Sequence, residues 1–188
     1  SLEEEIDLAA CAKHGVEFVR RPTGGGAVFH EHEITYSIHI PESAGLVPLD
    51  ILKSYEKISG GVIKGLATLG IHAQFVPLND LVVNHTGTPQ KISGNAQTRK
   101  KGVILQHGTI LLRVDVEKMF GILKVPDEKM KGKLIADIKQ RVTSVSAASV
   151  RDVTFEEAQR ALIQGFQEEF SPIGLVPGEL SPEEKKRS

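Results

Sequence analysis

The sequence is poor in the residues that characterise secreted, membrane-spanning and disulfide-stabilised proteins. Among its 188 residues there is one cysteine, Cys11, and no tryptophan. A single cysteine cannot form an internal disulfide, and it fits a reducing compartment. No apolar run approaches the roughly 20 residues that a transmembrane helix requires, and the first residues lack a secretory pattern. We therefore expect a cytoplasmic protein that does not associate with a membrane.

Charge of one sign is also lacking. The chain has 23 Lys and Arg residues against 24 Asp and Glu residues, for a formal net charge of −1. This balance predicts no electrostatic attraction to nucleic acid. Among the seven histidines, His30 and His32 are two residues apart, but no third ligand follows at a spacing typical of zinc. The length fits one domain with its own hydrophobic core.

The apolar pattern predicts helices and strands in an irregular order. Residues 50–69 have apolar side chains at helical spacing, and residues 34–40 alternate as a strand does. A helix over residues 154–170 opens on a capping box of Thr154 and Glu157. Without a βαβ rhythm, this mixture favours an α+β fold, with a mixed or antiparallel sheet flanked by helices. The other predicted helices cover residues 1–14, 116–123 and 128–139, and the other predicted strands cover 16–21, 27–29, 71–76, 81–84, 90–93 and 109–114.

Three consecutive glycines, residues 24–26, separate two of the predicted strands. Glycine weakens strands, but it permits close backbone approach, and successive N–H groups can then surround an anion. Arg20 and Arg21 precede the glycines and carry a fixed positive charge suited to phosphate or carboxylate. We expect Arg21, the nearer one, to enter such a site. Taken alone, the glycines could equally form an ordinary turn; the segment is neither a Walker A loop nor a dinucleotide fingerprint.

These glycines belong to a longer run, Arg20-Arg21-Pro22-Thr23-Gly24-Gly25-Gly26-Ala27-Val28-Phe29-His30. The run resembles the signature of lipoate–protein ligases, within the biotin/lipoate ligase and octanoyltransferase superfamily. The resemblance implies a catalytic domain of that type over residues 1–178, without its N-terminal strand and helix. Residues 179–188 would begin a C-terminal helix or linker, with the accessory domain absent. The implied nucleotide contacts are Arg21, Gly26, Ala27, Val28 and Phe29, and the implied lipoate contacts are Thr23, Gly24, Gly25 and His30.

A second block resembles the same family in the same order, over residues 79–83, 91–97 and 106–109. Activating a carboxylate with ATP requires the reactants to be aligned and the developing charge to be neutralised. A lysine on a strand can do this as a point charge between carboxyl and phosphate oxygens. Lys91 is the predicted catalytic residue, because it alone lies in the family's Lys-Ile/Val-Ser/Ala-Gly motif, and the resemblance implies that it contacts both lipoate and adenylate. The resemblance also implies that Asn79 and Asp80 contact the adenylate and that Gly94 and His107 contact lipoate. Asp80 is in addition the predicted Mg²⁺ ligand.

The resemblance implies ATP-dependent activation of lipoate to lipoyl-AMP and its transfer to a lysine of a lipoyl domain. ATP would be the co-substrate, Mg²⁺ the metal and lipoate the substrate. Implied partners are the lipoyl domains of 2-oxoacid dehydrogenase complexes or the glycine-cleavage carrier protein, and a separate accessory C-terminal domain.

Two alternatives remain open. One is octanoyl or lipoyl transfer between carrier proteins without ATP, which the runs at residues 31–37 and 96–99 also resemble. Those transferases form a thioester on an active-site cysteine. Because no cysteine follows Cys11, we predict ligation in preference to transfer. The other alternative is a non-catalytic lipoate-binding module.

Overall fold

The computed structural model describes residues 2–124 and 131–187. Within these ranges five strands form an antiparallel sheet in the order β1-β5-β4-β3-β2. The strands are β1 Glu33–Pro41, β2 Ala73–Val76, β3 Asp80–Val83, β4 Gln90–Lys100 and β5 Val103–Leu111. The helices are α1 Leu2–Glu5, α2 Leu8–His14, α3 Ile51–Thr68, α4 Val116–Ile122, α5 Lys131–Arg141, α6 Val145–Ala148, α7 Phe155–Glu169 and α8 Pro182–Arg187, with a 3₁₀ turn at Glu42–Ala44. The predicted α+β class, with an antiparallel sheet flanked by helices, is confirmed.

One face of the sheet packs against α3 and α7. Buried and half-buried side chains alternate along β5, and Ile104 and Ile110 join the main core. Ile58 and Val62 of α3, and Leu162 of α7, complete this core from the other side. Because side chains alternate across a strand, the odd-numbered residues of β5 point to the opposite, open face of the sheet.

Helices α3 and α7 approach closely enough to require glycine at their crossing. A Cβ atom on Gly165 would lie 2.2 Å from the carbonyl oxygen of Gly61 and 2.2 Å from the amide nitrogen of Gly65. These are backbone atoms, which cannot rotate away as a side chain can. The crossing therefore determines how tightly the helical layer lies on the sheet.

Nearby side chains cap the first turns of α3 and α7, and the cap at Thr154 was predicted. Asp50 caps α3, with its carboxylate accepting from the N–H of Lys53 at 2.8 Å. Thr154 caps α7 by accepting from the N–H of Glu157 at 3.2 Å. The second half of that capping box does not form, because the Glu157 carboxylate binds Arg151 instead.

Other predicted elements differ from the structure. The helix predicted over residues 1–14 is divided, because the Asp7 carboxylate accepts from the N–H groups of Ala9 and Ala10 and starts a second helix. Residue 1 lies outside the described ranges. Residues 16–21 and 27–29 are not strands. A strand needs a hydrogen-bonded neighbour, and neither segment has one in the sheet. Residues 27–29 lie over the open face of the sheet instead.

Strands β4 and β5 are longer than predicted at their polar ends, where β4 extends to residue 100 and β5 begins at residue 103. Hydrophobic alternation misses these ends because polar side chains are buried there through hydrogen bonds to one another. Gln106 is fully buried, accepts from Gln97 Nε2 at 3.0 Å and donates to the Tyr36 hydroxyl at 3.1 Å. The charged helix predicted over residues 128–139 begins at Lys131 in the structure, and its first three residues lie outside the described ranges.

Across residues 2–124 and 131–187, no helix is both long enough and apolar enough to cross a membrane.

Candidate active site

A cavity of about 850 Å³ lies between the glycine segment, which is residues 20–30, and the open face of the sheet. Strands β4 and β5 supply its floor, and the loop before β3 supplies part of its wall. The cavity brings together two blocks of sequence that are about 60 residues apart. The predicted site residues that line it are Arg21, Gly24, Gly25, Gly26, Ala27, Val28, Phe29, His30, Asn79, Lys91, Gly94 and His107, and the remaining two, Thr23 and Asp80, each contact one of these.

Lys91 is held in place from three sides. Its Nζ lies 2.7 Å from Oδ1 of Asp80 on the neighbouring strand. A Cβ atom on Gly94 would lie 2.9 Å from both Cε and Nζ of Lys91, so the missing side chain leaves the space that the lysine occupies. Its carbonyl accepts from the N–H of Thr143 at 2.9 Å, which fixes the backbone. The lysine is half-exposed toward the cavity and presents one positive charge there.

Asn79 connects the start of β3 to β4. Its side-chain amide donates to the Asn95 carbonyl, while the Asn95 amide donates to the Asn79 carbonyl at 2.9 Å. The backbone N–H of Asn95 donates to the same carbonyl at 3.0 Å. Because Asn95 is buried, this clamp is shielded from water, and it places Asp80, the next residue, beside Lys91.

Arg21 lies across the glycine segment. One guanidinium nitrogen donates to the Gly26 carbonyl at 2.8 Å. A Cβ atom on Gly25 would lie 2.6 Å from the same nitrogen, and Gly25 has a φ of +103°, so this position favours glycine twice over. The prediction that Arg21, not Arg20, enters the site agrees with this arrangement, since Arg20 is not among the cavity residues in the described chain.

Two histidines of the cavity have opposite electrostatic environments. The pKa of His30 is raised, chiefly by its hydrogen bond to the Glu33 carboxylate. The pKa of His107 is lowered, first by burial and then by the positive charges of Arg21 and His30. Nε2 of His107 lies 2.6 Å from Oγ1 of Thr23. At neutral pH the cavity thus contains one histidine biased toward the charged form and one biased toward the neutral form.

Two carboxylates near the site were not anticipated from the sequence. Glu33, the partner of His30, has a side chain that is 5% exposed. Glu5 of α1 accepts from the backbone N–H of Ala27 and so fastens the glycine segment to the N-terminal helix. The i,i+3 spacing of His30 and Glu33 could have indicated the first pair. No local signal could have indicated the second, because its partners are 22 residues apart.

Cys11 lies in a small core of its own. Its side chain is 3% exposed and packs with Ile6 and Ile122, against Val16 and Phe29. It is not among the residues that line the cavity in the described chain.

An antiparallel sheet thus carries a lysine beneath a glycine-rich loop, and the two enclose a cavity of about 850 Å³. Residues 1–167 match the model of the lipoyl protein ligase A/B catalytic domain, and the chain belongs to this family. It is therefore an enzyme of protein lipoylation, and the predicted family is confirmed.

Two curated relatives are octanoyltransferases. The chain is 39% identical to octanoyltransferase LipM of Geobacillus kaustophilus, in a match that covers 98% of this chain and 73% of that protein. It is 35% identical to octanoyltransferase LipM of Anoxybacillus flavithermus, with 97% and 72% covered. Among solved structures, the bipartite lipoate protein ligase of Thermoplasma acidophilum has a TM-score of 0.87 at 32% identity, with 98% of this chain and 69% of that chain covered.

These relatives correct the predicted reaction. The prediction of an ATP-dependent lipoate–protein ligase, with ATP and Mg²⁺ as co-substrate and metal, is wrong, because the curated proteins that match nearly the whole chain are octanoyltransferases. The prediction depended on the absence of a second cysteine. A thioester is already an activated acyl group, however, and an amine can displace its sulfur directly, so a missing cysteine does not make ATP necessary.

The predicted Mg²⁺ site is wrong for the same reason, because it was predicted for the ATP-dependent reaction. Asp80, the predicted Mg²⁺ ligand, is paired with the Lys91 ammonium. In the part of the chain that the structure describes, no group of three His, Cys, Asp or Glu side chains could hold a metal ion.

Proposed function

We propose that this domain transfers an octanoyl or lipoyl group between carrier proteins, without ATP. The acyl group would arrive as a thioester on one carrier and leave as an amide on a lysine of a lipoyl domain. The observation that carries the proposal is the Lys91 ammonium, positioned by Asp80 and Gly94 on the floor of the cavity. The similarity to octanoyltransferases supports the choice of transfer.

Lys91 supplies the charge that acyl transfer needs. When an amine attacks a thioester carbonyl, negative charge develops on the carbonyl oxygen. A preorganised cation at that position stabilises the transition state more than the ground state. Exposed N–H groups of the glycine segment, which faces Lys91 across the cavity, would add hydrogen-bond donors to the same oxygen.

The cavity suits the proposed acyl group in size and lining. Its volume of about 850 Å³ is within the range of small-molecule sites. Glycine and small apolar side chains dominate the segment that covers it, and they can lie close to a flexible chain. We retain as proposed acyl contacts Gly24, Gly25, His30, Gly94 and His107, which line the cavity, and Thr23, which would act through its hydrogen bond to His107. Arg21, residues 26–29, Asn79 and Asp80 would surround the end where the carbonyl reacts.

The same proposal includes the acceptor proteins, the compartment and the extent of the catalytic domain. The acceptors would be lipoyl domains of 2-oxoacid dehydrogenase complexes or the glycine-cleavage carrier protein, and the reaction would take place in the cytoplasm. Residues 1–178 would constitute the catalytic domain. Residues 179–188 would begin a C-terminal helix or linker, which agrees with the helix at Pro182–Arg187.

The test omits ATP and Mg²⁺. The chain is incubated with an octanoyl-loaded carrier protein and an unmodified lipoyl domain, while acceptor mass and free carrier thiol are followed. We expect one acyl group on the acceptor for each thiol released. Lys91→Met should abolish this while the fold persists. Lys53→Met, at an exposed position of α3 that does not line the cavity, serves as the matched control and should retain activity. An acceptor that stays unmodified in the presence of the unaltered chain would refute the proposal.

A further inference from the structure

His107 occupies a distinctive position in the cavity. It lies on the open face of β5, half-buried, and lines the same space as Lys91. One ring nitrogen, Nε2, is engaged with the Thr23 hydroxyl at 2.6 Å. The other, Nδ1, has no hydrogen-bond partner among the residues that the structure describes. A histidine with one nitrogen fixed and the other open has the arrangement of a general base.

The surroundings of His107 favour its neutral form. Arg21 and His30 face it from the glycine segment, and Lys91 shares the cavity from β4. From β1 its ladder partner is Ser37, whose hydroxyl lies 3.1 Å from His39. Three carboxylates line the same cavity, and each has a partner: Glu33 is bound to His30, Glu31 is paired with Lys118, and Asp115 caps α4. Burial and the adjacent cations lower the pKa of His107, so that its ring can accept a proton at neutral pH.

We propose that His107 is the proton acceptor in acyl transfer, and that Thr23 is the positioning residue that fixes its ring. This inference rests on the proposed function, since it assigns a group within the same reaction.

The step balances without another reactant. The neutral amine of the acceptor lysine forms a C–N bond with the thioester carbonyl carbon, and the carbonyl electron pair moves onto oxygen beside Lys91. The nitrogen loses a proton to Nδ1 of His107. The carbonyl then re-forms as the C–S bond breaks, and the departing sulfur takes that proton from His107 to leave as a thiol. The products are an amide and a free carrier thiol.

The contact with Thr23 selects the tautomer that this step needs. For Nδ1 to accept a proton, the resting proton must be on Nε2, and Nε2–H then donates to the Thr23 hydroxyl oxygen. The same hydrogen bond persists when the ring becomes charged, and it is then stronger. Serine can replace threonine in this role, whereas valine cannot.

The Thr23–His107 pair has the groups for a second reaction. If the Thr23 hydroxyl donated its proton to Nε2, Thr23 could attack the thioester and carry the acyl group as an ester. The structure favours the first arrangement, because His107 lines the cavity and Thr23 is not among its lining residues. The two chemistries differ in whether the enzyme becomes acylated.

The test uses the full chain in the ATP-free assay, with Lys91→Met as the inactive reference. We expect His107→Gln to lower kcat by about 100- to 10,000-fold, with little change in calorimetric binding of the octanoyl carrier. For the unaltered enzyme, kcat should fall as pH falls through the pKa of His107. The residual kcat of His107→Gln should not show that fall at low pH. His72→Gln, at an exposed position outside the cavity, should behave as the unaltered chain.

The threonine variants test the positioning role independently of any folding defect at His107. Thr23→Val should lower kcat roughly ten- to hundredfold with KM nearly unchanged, and Thr23→Ser should restore it. The proposal would be overturned if His107→Gln kept the kcat of the unaltered enzyme and the same fall of kcat at low pH. An acyl adduct on residue 23, in enzyme quenched during turnover, would also overturn it. Failure of the unaltered chain to transfer at all would instead refute the proposed function.

Discussion

Lys91 and Asp80 lie on adjacent antiparallel strands with Nζ and Oδ1 2.7 Å apart. Neither residue is buried, so their attraction contributes little to stability. Its consequence is geometric, because the carboxylate limits where the ammonium can lie while leaving it open to the cavity. Gly94, the ladder partner of Asp80, provides the remaining constraint.

Gly94→Ala should therefore reduce activity without unfolding the protein. The new methyl group would meet the far end of the Lys91 side chain, which can move aside at small energetic cost but then leaves its position beside Asp80. We expect kcat to fall roughly ten- to hundredfold and Tm to change little. Gly121→Ala, where a Cβ meets nothing within 4 Å, is the control. Full activity in Gly94→Ala would show that the position of Lys91 does not matter.

Cys11→Ala should leave acyl transfer intact. The thiol is buried in a small apolar cluster and does not line the described cavity. Removing it should lower the free energy of unfolding by about 1 kcal/mol, as deletion of one buried methyl group does. Denaturant titration measures the stability, and the ATP-free assay measures the activity. Loss of transfer in a folded Cys11→Ala protein would instead place the thiol in the reaction.

Glu33→Gln should destabilise the protein in a pH-dependent manner. The folded-state pKa of His30 is raised above its ordinary value of 6.5 by Glu33. A raised folded pKa means that the contribution to stability is fully present below pH 6.5 and is lost as pH rises through the folded value. The difference in unfolding free energy between the two proteins should thus be largest in acid and shrink above neutrality. A constant difference across this range would argue that His30 does not titrate with Glu33.

Gly165→Ala should destabilise the fold more than any change at the cavity. The added Cβ would lie 2.2 Å from backbone atoms of Gly61 and Gly65, so one helix must move. We expect a loss of roughly 1–3 kcal/mol or more in unfolding free energy, measured by denaturant titration. Gly174→Ala, which meets nothing within 4 Å, should be nearly neutral. Equal stability of the two variants would mean that the helices cross less tightly.

The sequence alone was sufficient for the family, the α+β class and the two long helices. It also predicted site residues that the structure places around one cavity, but not Glu33 or Glu5. These signals are local, since a cap acts over three residues, helical periodicity over seven, and the glycine run over eleven. The choice between ligation and transfer went wrong because a missing cysteine says nothing about how the acyl group arrives activated.

Only the tertiary structure decided which of these residues meet. Thr23 and His107 are 84 positions apart and hydrogen-bonded, and Glu5 reaches Ala27 across 22 positions. Residues 16–21 have a strand-like pattern, yet the sheet offers them no partner, and of these residues only Arg21 lines the cavity. Pairing across such separations depends on how the sheet, the helices and the glycine segment pack together, and no short stretch of sequence contains that information.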